Sequence, residues 1–265
     1  TDFELLSRYD RYGLPFGTQI CCNCGLISQT IMISEDSLST FYDKIYWPLN
    51  MGTNDPKMHY TISSSTAKFI GFLKDHIDFR NDELTVADVG CSNGLRLKNM
   101  SDYFKAKYHL QLFGCDYSNN ALRLANDNGI TTFQGGMGSL LTIAPFDILI
   151  LSHVFEHFVD LKNSLALIDQ LTHQNSFIYV EVPGVVDLIN KPEYMYDYQD
   201  YTVLAHIHNF SLTTLTNVFK TQSFKLAKGE EYVRALFRKN VESPQSVSPN
   251  PYSEIMAALL KAREK

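Results

Sequence analysis

The stretch Asp88-Val89-Gly90-Cys91-Ser92-Asn93-Gly94 puts a carboxylate and two glycines directly after a short apolar run. Apolar run, acid, glycine turn and helix, in that order, form a nucleotide-type site at the carboxyl end of a first parallel strand. Gly90 and Gly94 let the backbone turn sharply and approach a ligand where a Cβ would clash. A second acid, Asp116, lies 22 residues beyond Gly94, the offset of a carboxylate that accepts hydrogen bonds from a ribose. Its other reading is a cap for the helix starting near Ser118. Further upstream, Cys21 and Cys24 have C-x-x-C-G spacing, which can point two thiolates at one metal. A structural zinc needs four ligands and no second C-x-x-C follows, so small buried thiols in a compact turn are the alternative. Phe41, Tyr42, Tyr46 and Trp47 suit either a docking helix or a lid over a polar small molecule, in which Tyr42 and Tyr46 would touch substrate.

The elements that must position these groups follow from periodicity. Continuous or alternating apolar runs predict strands over 84–89, 110–115, 130–133, 146–151 and 176–182. Between them, apolar residues at helical spacing predict helices over 95–104, 119–128 and 161–171, with an earlier one after the cap candidates Ser63 to Thr66. The run over 146–151 is apolar throughout, which marks a strand in the middle of a sheet. Strands over 224–227 and 232–237 stand too close for a crossover helix and should pair antiparallel. Together these predict an α/β, Rossmann-like, doubly wound and mostly parallel seven-stranded sheet with an antiparallel last strand. The chain divides into an N-terminal knuckle and lid segment (1–60), a central domain (61–240), and a linker with a C-terminal helix (241–265). The only strand expected in the first segment lies over 26–33. Residues 185–205 read as a polar, tyrosine-rich insertion.

Composition limits the function classes. The 265 residues are 45% hydrophobic and 20% charged, enough to bury a sizeable core and too apolar for disorder. A net charge of −6 argues against nucleic acid as a partner, and no apolar run is long enough to span a membrane. Five cysteines, three of them within four positions, look unlike a secreted disulfide framework and point to a reducing, cytoplasmic setting. A chain that starts at Thr1 reads as processed or truncated, which leaves targeting unreadable.

Three separated motifs carry a resemblance: D-V-G-C-S-N-G, G-C-D-Y-S after the second strand, and F-D-I-L-I-L-S-H-V-F-E-H after the fourth. In that order they resemble a class I S-adenosylmethionine-dependent methyltransferase. Cys21 to Gly25, Phe41 to Tyr46, Val180 to Pro183 and His206 to Ser211 are similar to the subgroup that methylates sugars in antibiotic and surface-polysaccharide pathways, where a zinc-knuckle segment precedes the catalytic domain. The resemblance implies S-adenosylmethionine as cofactor, a structural zinc, and a small-molecule or glycan acceptor such as a nucleotide-linked sugar. It places Asp88, Gly90, Cys91 and Gly94 around the methionine end of the cofactor. Asp116 would hold the ribose and Tyr117 would stack near the adenine. Gly136 and Met137 would close on the ring, with Ser152 and His153 under the sulfonium. Cys91 could instead contribute only its backbone, and Gly136 could be a turn residue. Ser92 stands where the motif has a further glycine, and no acid follows the third strand.

Methyl transfer needs an aligned nucleophile and usually a base, for which histidine is suited near neutral pH. His206, His208 and His153 are the candidates. His206 and His208 alternate by two, so an extended chain would turn both toward one pocket. His157 beside Glu156 reads as completing a turn. Tyr194, Tyr196, Tyr198 and Tyr201 would line the acceptor site, with Glu181 meeting a sugar hydroxyl from the strand end. Two other function classes compete. A nicotinamide-dependent oxidoreductase would need G-x-G-x-x-G, which is absent. A catalytically silent, methyltransferase-like scaffold domain would keep the fold without turnover.

Overall fold

The computed structural model describes residues 2–31, 64–239 and 248–265, together with isolated positions between 33 and 52. Tyr42, Tyr46, Ser63 and most of the linker lie outside the described residues. Two compact units form, one from residues 34–152 and 165–179, the other from residues 1–33, 153–164 and 180–265.

In chain order the strands begin with β1 (Phe3–Ser7), β2 (Thr18–Cys21) and β3 (Ile27–Gln29). Helix α1 (Ser64–Leu73) precedes β4 (Glu83–Val89), α2 (Leu95–Phe104), β5 (His109–Asp116), α3 (Asn119–Asp127) and β6 (Thr131–Gln134). Then come β7 (Phe146–Ser152), α4 (Leu161–Gln170), β8 (Thr172–Glu181), the one-turn α5 (Tyr198–Tyr201) and β9 (His208–Asn209). The chain closes with α6 (Leu212–Lys220), β10 (Phe224–Glu230), β11 (Arg234–Lys239) and α7 (Tyr252–Arg263).

The larger sheet has seven strands in the order β10-β11-β8-β7-β4-β5-β6. Strand β4 runs parallel to β5 on one side and to β7 on the other, with Val89 opposite both Cys115 and Leu151. Successive strands therefore leave β4 in opposite directions, which makes its carboxyl end a topological switch point, where ligands of doubly wound folds bind. The apolar run of β7 is central as expected: Phe146 and Ile148 to Leu151 have no exposed surface. Strands β10 and β11 pair antiparallel, also as expected. Helix α2 buries Leu97, Met100 and Phe104 on one face, and α6 starts with a reciprocal Ser211–Thr214 capping box.

The other unit departs from the sequence reading. Strands β1, β2, β3 and β9 form a second, four-stranded sheet, where a single strand was expected. The insertion after Val185 is not simply polar. Tyr198 and Tyr201 are 3% and 1% exposed and pack with Ile20, Ile27, Leu188, Ile255 and Leu259. Tyrosine rings supply apolar area when the hydroxyl is satisfied, and Tyr201 Oη donates to the Pro183 carbonyl at 2.7 Å. Among the described residues no helix is long and apolar enough to cross a membrane.

Candidate active site

The turn after β4 has three left-handed residues, Gly90 (φ 70°), Ser92 (φ 49°) and Gly94 (φ 74°). The N–H groups of Gly90 and Cys91 both donate to the Cys115 carbonyl, at 2.8 and 3.0 Å. This fastens the turn to the end of β5. At Gly94 an added Cβ would lie 2.7 Å from Ile130 Cγ1 and 3.1 Å from Ala125 Cβ, so glycine is required there for space as well as for φ. Cys91 packs its sulfur against Gly114, whose ideal Cβ would stand 2.6 Å from Sγ. Burial, then the Asp88 and Asp116 charges, push the Cys91 thiol far up. It stays protonated, and its backbone N–H is what fastens the turn.

Asp116 ties the same turn to the tip of β5. Its Oδ2 accepts the Ser92 N–H at 3.0 Å and its Oδ1 accepts the Ser118 N–H at 2.9 Å. Ser118, not Asp116, caps α3, through the Ala121 N–H at 3.3 Å. Burial raises the Asp116 pKa, opposed by the backbone N–H groups of Ser118, Ser92 and Tyr117. Tyr117 is 47% exposed, and its hydroxyl would sit 2.7 Å from a Cβ at Gly136. Met137 and Ser152 are buried, at 5% and 4% exposure.

Asp88 is fully buried and ion-paired with Arg96, whose Nη1 lies 3.2 and 3.1 Å from the two carboxylate oxygens. Burial pushes the Asp88 pKa up to about 6, against the pull of Arg96. The sequence reading missed Arg96. Its signal was a cation in the first turn after a glycine loop that begins with a buried acid, since buried charges are paired.

The other unit holds the histidines. His153 follows the last residue of β7, has a left-handed backbone (φ 57°) and donates its N–H to the Glu181 carbonyl at 2.7 Å. A non-glycine residue held in that region marks strain that often accompanies function. Its Nε2 is 4.0 Å from Glu181 Oε1 and its Nδ1 is 3.7 Å from Glu156 Oε1, with 46% of the side chain exposed. Glu181 Oε1 accepts from Arg234 Nε at 2.8 Å, an ion pair that fixes the carboxylate at the end of β8. Glu156 is buried, with His157 Nε2 3.7 Å away. His206 stacks obliquely on His157, ring centres 5.2 Å apart. Burial lowers the His206 pKa to about 3, although Glu156 pulls it up.

His206 and His208 do not share a pocket through an extended strand. The His206 N–H closes a turn onto the Val203 carbonyl at 2.9 Å, while His208 pairs with Ser28 in the small sheet. His208 is 5% exposed, and burial lowers its pKa to about 4, with the carbonyls of Phe158 and Val159 opposing in part. Tyr198, expected against substrate, is in the apolar core, where burial raises its phenol pKa. Tyr196 is half-buried, with the Lys265 ammonium 4.7 Å above its ring.

Cys21 and Cys24 close the turn between β2 and β3. Burial raises the Cys21 pKa, but the backbone at Asn23, the Cys24 thiol and the Cys24 backbone outweigh it, and the net shift is downward. Burial raises that of Cys24. Among the described residues no third His, Cys, Asp or Glu atom joins these thiols in a metal-sized group. Gly25 has φ 70°, and a Cβ there would meet Pro251 Cγ at 2.8 Å. The tight turn therefore has a packing reason of its own, without a metal.

A mostly parallel sheet with its switch point at a glycine turn, closed by an antiparallel pair, places the chain among doubly wound α/β folds. A family model described as a methyltransferase domain matches residues 57–228, well over half the chain, and the chain belongs to that family. Among solved structures, the plantazolicin methyltransferase BpumL, in complex with SAH and a monoazolic desmethylPZN analog, is similar at 14% identity and a TM-score of 0.53. That match covers 77% of this chain and 97% of that one. A Listeria monocytogenes protein described as an S-adenosylmethionine dependent methyltransferase is similar at 13% identity and a TM-score of 0.50, covering 66% of this chain and 99% of its own. These likenesses are of fold. No curated protein matches. The expected methyltransferase enzyme on a mostly parallel seven-stranded sheet is borne out by family and fold.

Proposed function

We propose that the chain transfers a methyl group from S-adenosylmethionine to a small polar acceptor of the sugar class, a nucleotide-linked sugar or a polysaccharide end. The observation that carries the donor half is the Gly90–Gly94 turn fastened to Asp116 at the switch point of β4. The residues fit that cofactor. Backbone N–H groups hold the Asp116 carboxylate in place, and its two oxygens, with about four acceptor positions between them, keep capacity for a ribose hydroxyl. The Ser92 hydroxyl is buried without a partner, a group that a polar ligand satisfies. Tyr117 offers a half-open ring beside the Gly136 backbone, where adenine would stack.

When bound, the cofactor supplies an electrophilic methyl on a sulfonium that leaves as a neutral thioether and needs no acid. The chain's own task is to orient the acceptor and take its proton. His153 is the base in this reading. It is the exposed histidine at the β7 carboxyl edge, and Glu181 stands beside its Nε2 to stabilise the imidazolium. Arg234 fixes Glu181. The sugar acceptor rests on the subgroup motifs at Val180–Pro183 and His206–Ser211.

The test is calorimetric titration with S-adenosylmethionine, S-adenosylhomocysteine and a reduced nicotinamide dinucleotide. Micromolar binding of both sulfur ligands, with none of the dinucleotide, is expected. Binding of neither sulfur ligand would overturn the reading in favour of a silent scaffold domain.

A further inference from the structure

The unit formed by residues 1–33, 153–164 and 180–265 contains a cluster whose chemistry the methyl-transfer reading leaves unused. Glu156 is 1% exposed, and neither of its carboxylate oxygens has a hydrogen-bond partner. A carboxylate buried in that way needs positive charge beside it, and the groups around this one are the imidazoles of His157, His153 and His206. One ligand atom each from Glu156, His157 and His206 lie within 4.8 Å of one another.

The hydrogen bonding of His157 shows how its ring is used. Its Nδ1 lies 2.6 Å from the Ala205 carbonyl. A carbonyl only accepts, so Nδ1 carries the proton, and in the neutral ring the lone pair is on Nε2. That lone pair belongs to the nitrogen 3.7 Å from Glu156 Oε1. The separation is too long for a hydrogen bond. It is close to the edge of a coordination polyhedron: bonds of about 2.1 Å put tetrahedral neighbours about 3.4 Å apart. A backbone carbonyl on the remote nitrogen is also the usual way in which a metal-bound imidazole is oriented. His206 adds an Nδ1 that is buried without a partner. His153, with its Nδ1 3.7 Å from Glu156 Oε1 and nearly half its side chain exposed, stands where the cluster meets solvent.

We propose that Glu156, His157 and His206 form a binding site for a divalent transition-metal ion, with the side toward His153 left for an exchangeable oxygen ligand. Two imidazoles and one carboxylate favour zinc, manganese, iron, cobalt or nickel over magnesium or calcium. An acceptor hydroxyl taking the exchangeable position would be acidified by the ion, and its proton would pass to His153. That role rests on the methyl-transfer reading above; the binding of the ion does not.

Cobalt(II) is the probe, because its visible spectrum reports the ligands without an activity assay. The experiment uses the full chain carrying Cys21→Ser, Cys22→Ser and Cys24→Ser, so that the thiols of the β2–β3 turn cannot supply the signal; Cys91 and Cys115 are buried in the other unit. One equivalent of cobalt is expected to bind with ligand-field bands and no thiolate charge-transfer band. Glu156→Gln should abolish the bands, and His206→Asn should weaken binding roughly tenfold or more. Since a variant could fail through misfolding, melting is followed with and without zinc. The turn-thiol-free parent should be stabilised by the metal, while Glu156→Gln should still melt cooperatively and gain nothing from zinc. No cobalt binding in the turn-thiol-free parent, or bands unchanged by Glu156→Gln, would overturn the proposal. Calorimetry with S-adenosylhomocysteine separates the two readings. Sulfur-ligand binding without cobalt binding sinks the metal site alone, and the reverse sinks the donor assignment alone.

Discussion

The Ser92 backbone N–H donates to Asp116 Oδ2 at 3.0 Å, which locks the turn after β4 to the tip of β5. One carboxylate thus shapes the glycine turn and, in the proposed function, receives the ribose. Asp116→Ala should lower S-adenosylhomocysteine affinity roughly tenfold or more, because charge-assisted hydrogen bonds are lost on both sides. It should also loosen the turn. Titration calorimetry of the folded variant reads the first effect, and unchanged affinity would remove Asp116 from the cofactor site.

Gly94 is held at φ 74°, with Ile130 and Ala125 against the place a Cβ would take. Gly94→Ala therefore meets two penalties, about 1–2 kcal/mol for the left-handed backbone and about 1–3 kcal/mol for overpacking. Urea denaturation should show a loss of roughly 2–5 kcal/mol. A loss under about 0.5 kcal/mol, the range of a neutral surface change, would mean that the turn relaxes freely.

Much of this core could be read from the residue pattern. Helix α2 runs over Leu95–Phe104, the limits its periodicity predicts, because Gly94 starts it and Leu97, Met100 and Phe104 repeat on one face. The β7 run declared its central place by having no polar side. The small sheet was illegible because β2, β3 and β9 are four, three and two residues long, and β9 joins β3 across a separation no local window covers. Tyr198 and Tyr201 misled because a tyrosine-rich segment reads as polar when the rings are in fact core. The Glu156–His157–His206 cluster was half visible. Glu156 and His157 are adjacent, but the approach of His206 is a tertiary event, and its two-residue spacing from His208 suggested a different geometry.

Arg96→Met should leave the Asp88 carboxylate buried without its partner. Removing one member of a buried pair costs about 3–5 kcal/mol, so a large drop in thermal stability is expected. Asp88→Asn in the same chain should recover part of it. A drop in Arg96→Met that the second change leaves untouched would assign the effect to lost packing of the arginine stem.

His208 supplies a pH dependence of stability. Its pKa falls to about 4 in the folded protein because of burial, against an ordinary value of about 6.5 in the unfolded chain. The folded state binds fewer protons in that window, so stability is complete above about pH 6.5 and falls as the pH drops toward 4. The shift amounts to roughly 3 kcal/mol. His206, whose pKa burial lowers to about 3, adds a slope of the same sign, so His208→Gln should reduce the fall of the denaturation midpoint between pH 6.5 and 4 without abolishing it. A midpoint that keeps the full slope in the variant would place the titration elsewhere.

His153 and Glu181 have separable roles in the proposed mechanism, and kinetics can tell them apart. His153→Gln removes the base and keeps a side chain of similar reach. It should leave S-adenosylhomocysteine affinity unchanged and lower kcat roughly 100-fold or more, the usual contribution of a positioned base. Glu181 acts through His153, with Oε1 4.0 Å from Nε2 and Arg234 holding it at 2.8 Å. Glu181→Gln retains the shape and removes the charge that stabilises the imidazolium. The acidic limb of the pH–rate profile should therefore move to lower pH, with a smaller loss in kcat than His153→Gln and little change in KM. If Glu181→Gln instead raised KM and left the pH profile in place, the carboxylate would be binding acceptor directly, as its position at the strand end first suggested. If His153→Gln kept full activity, proton removal would have to be assigned to another group.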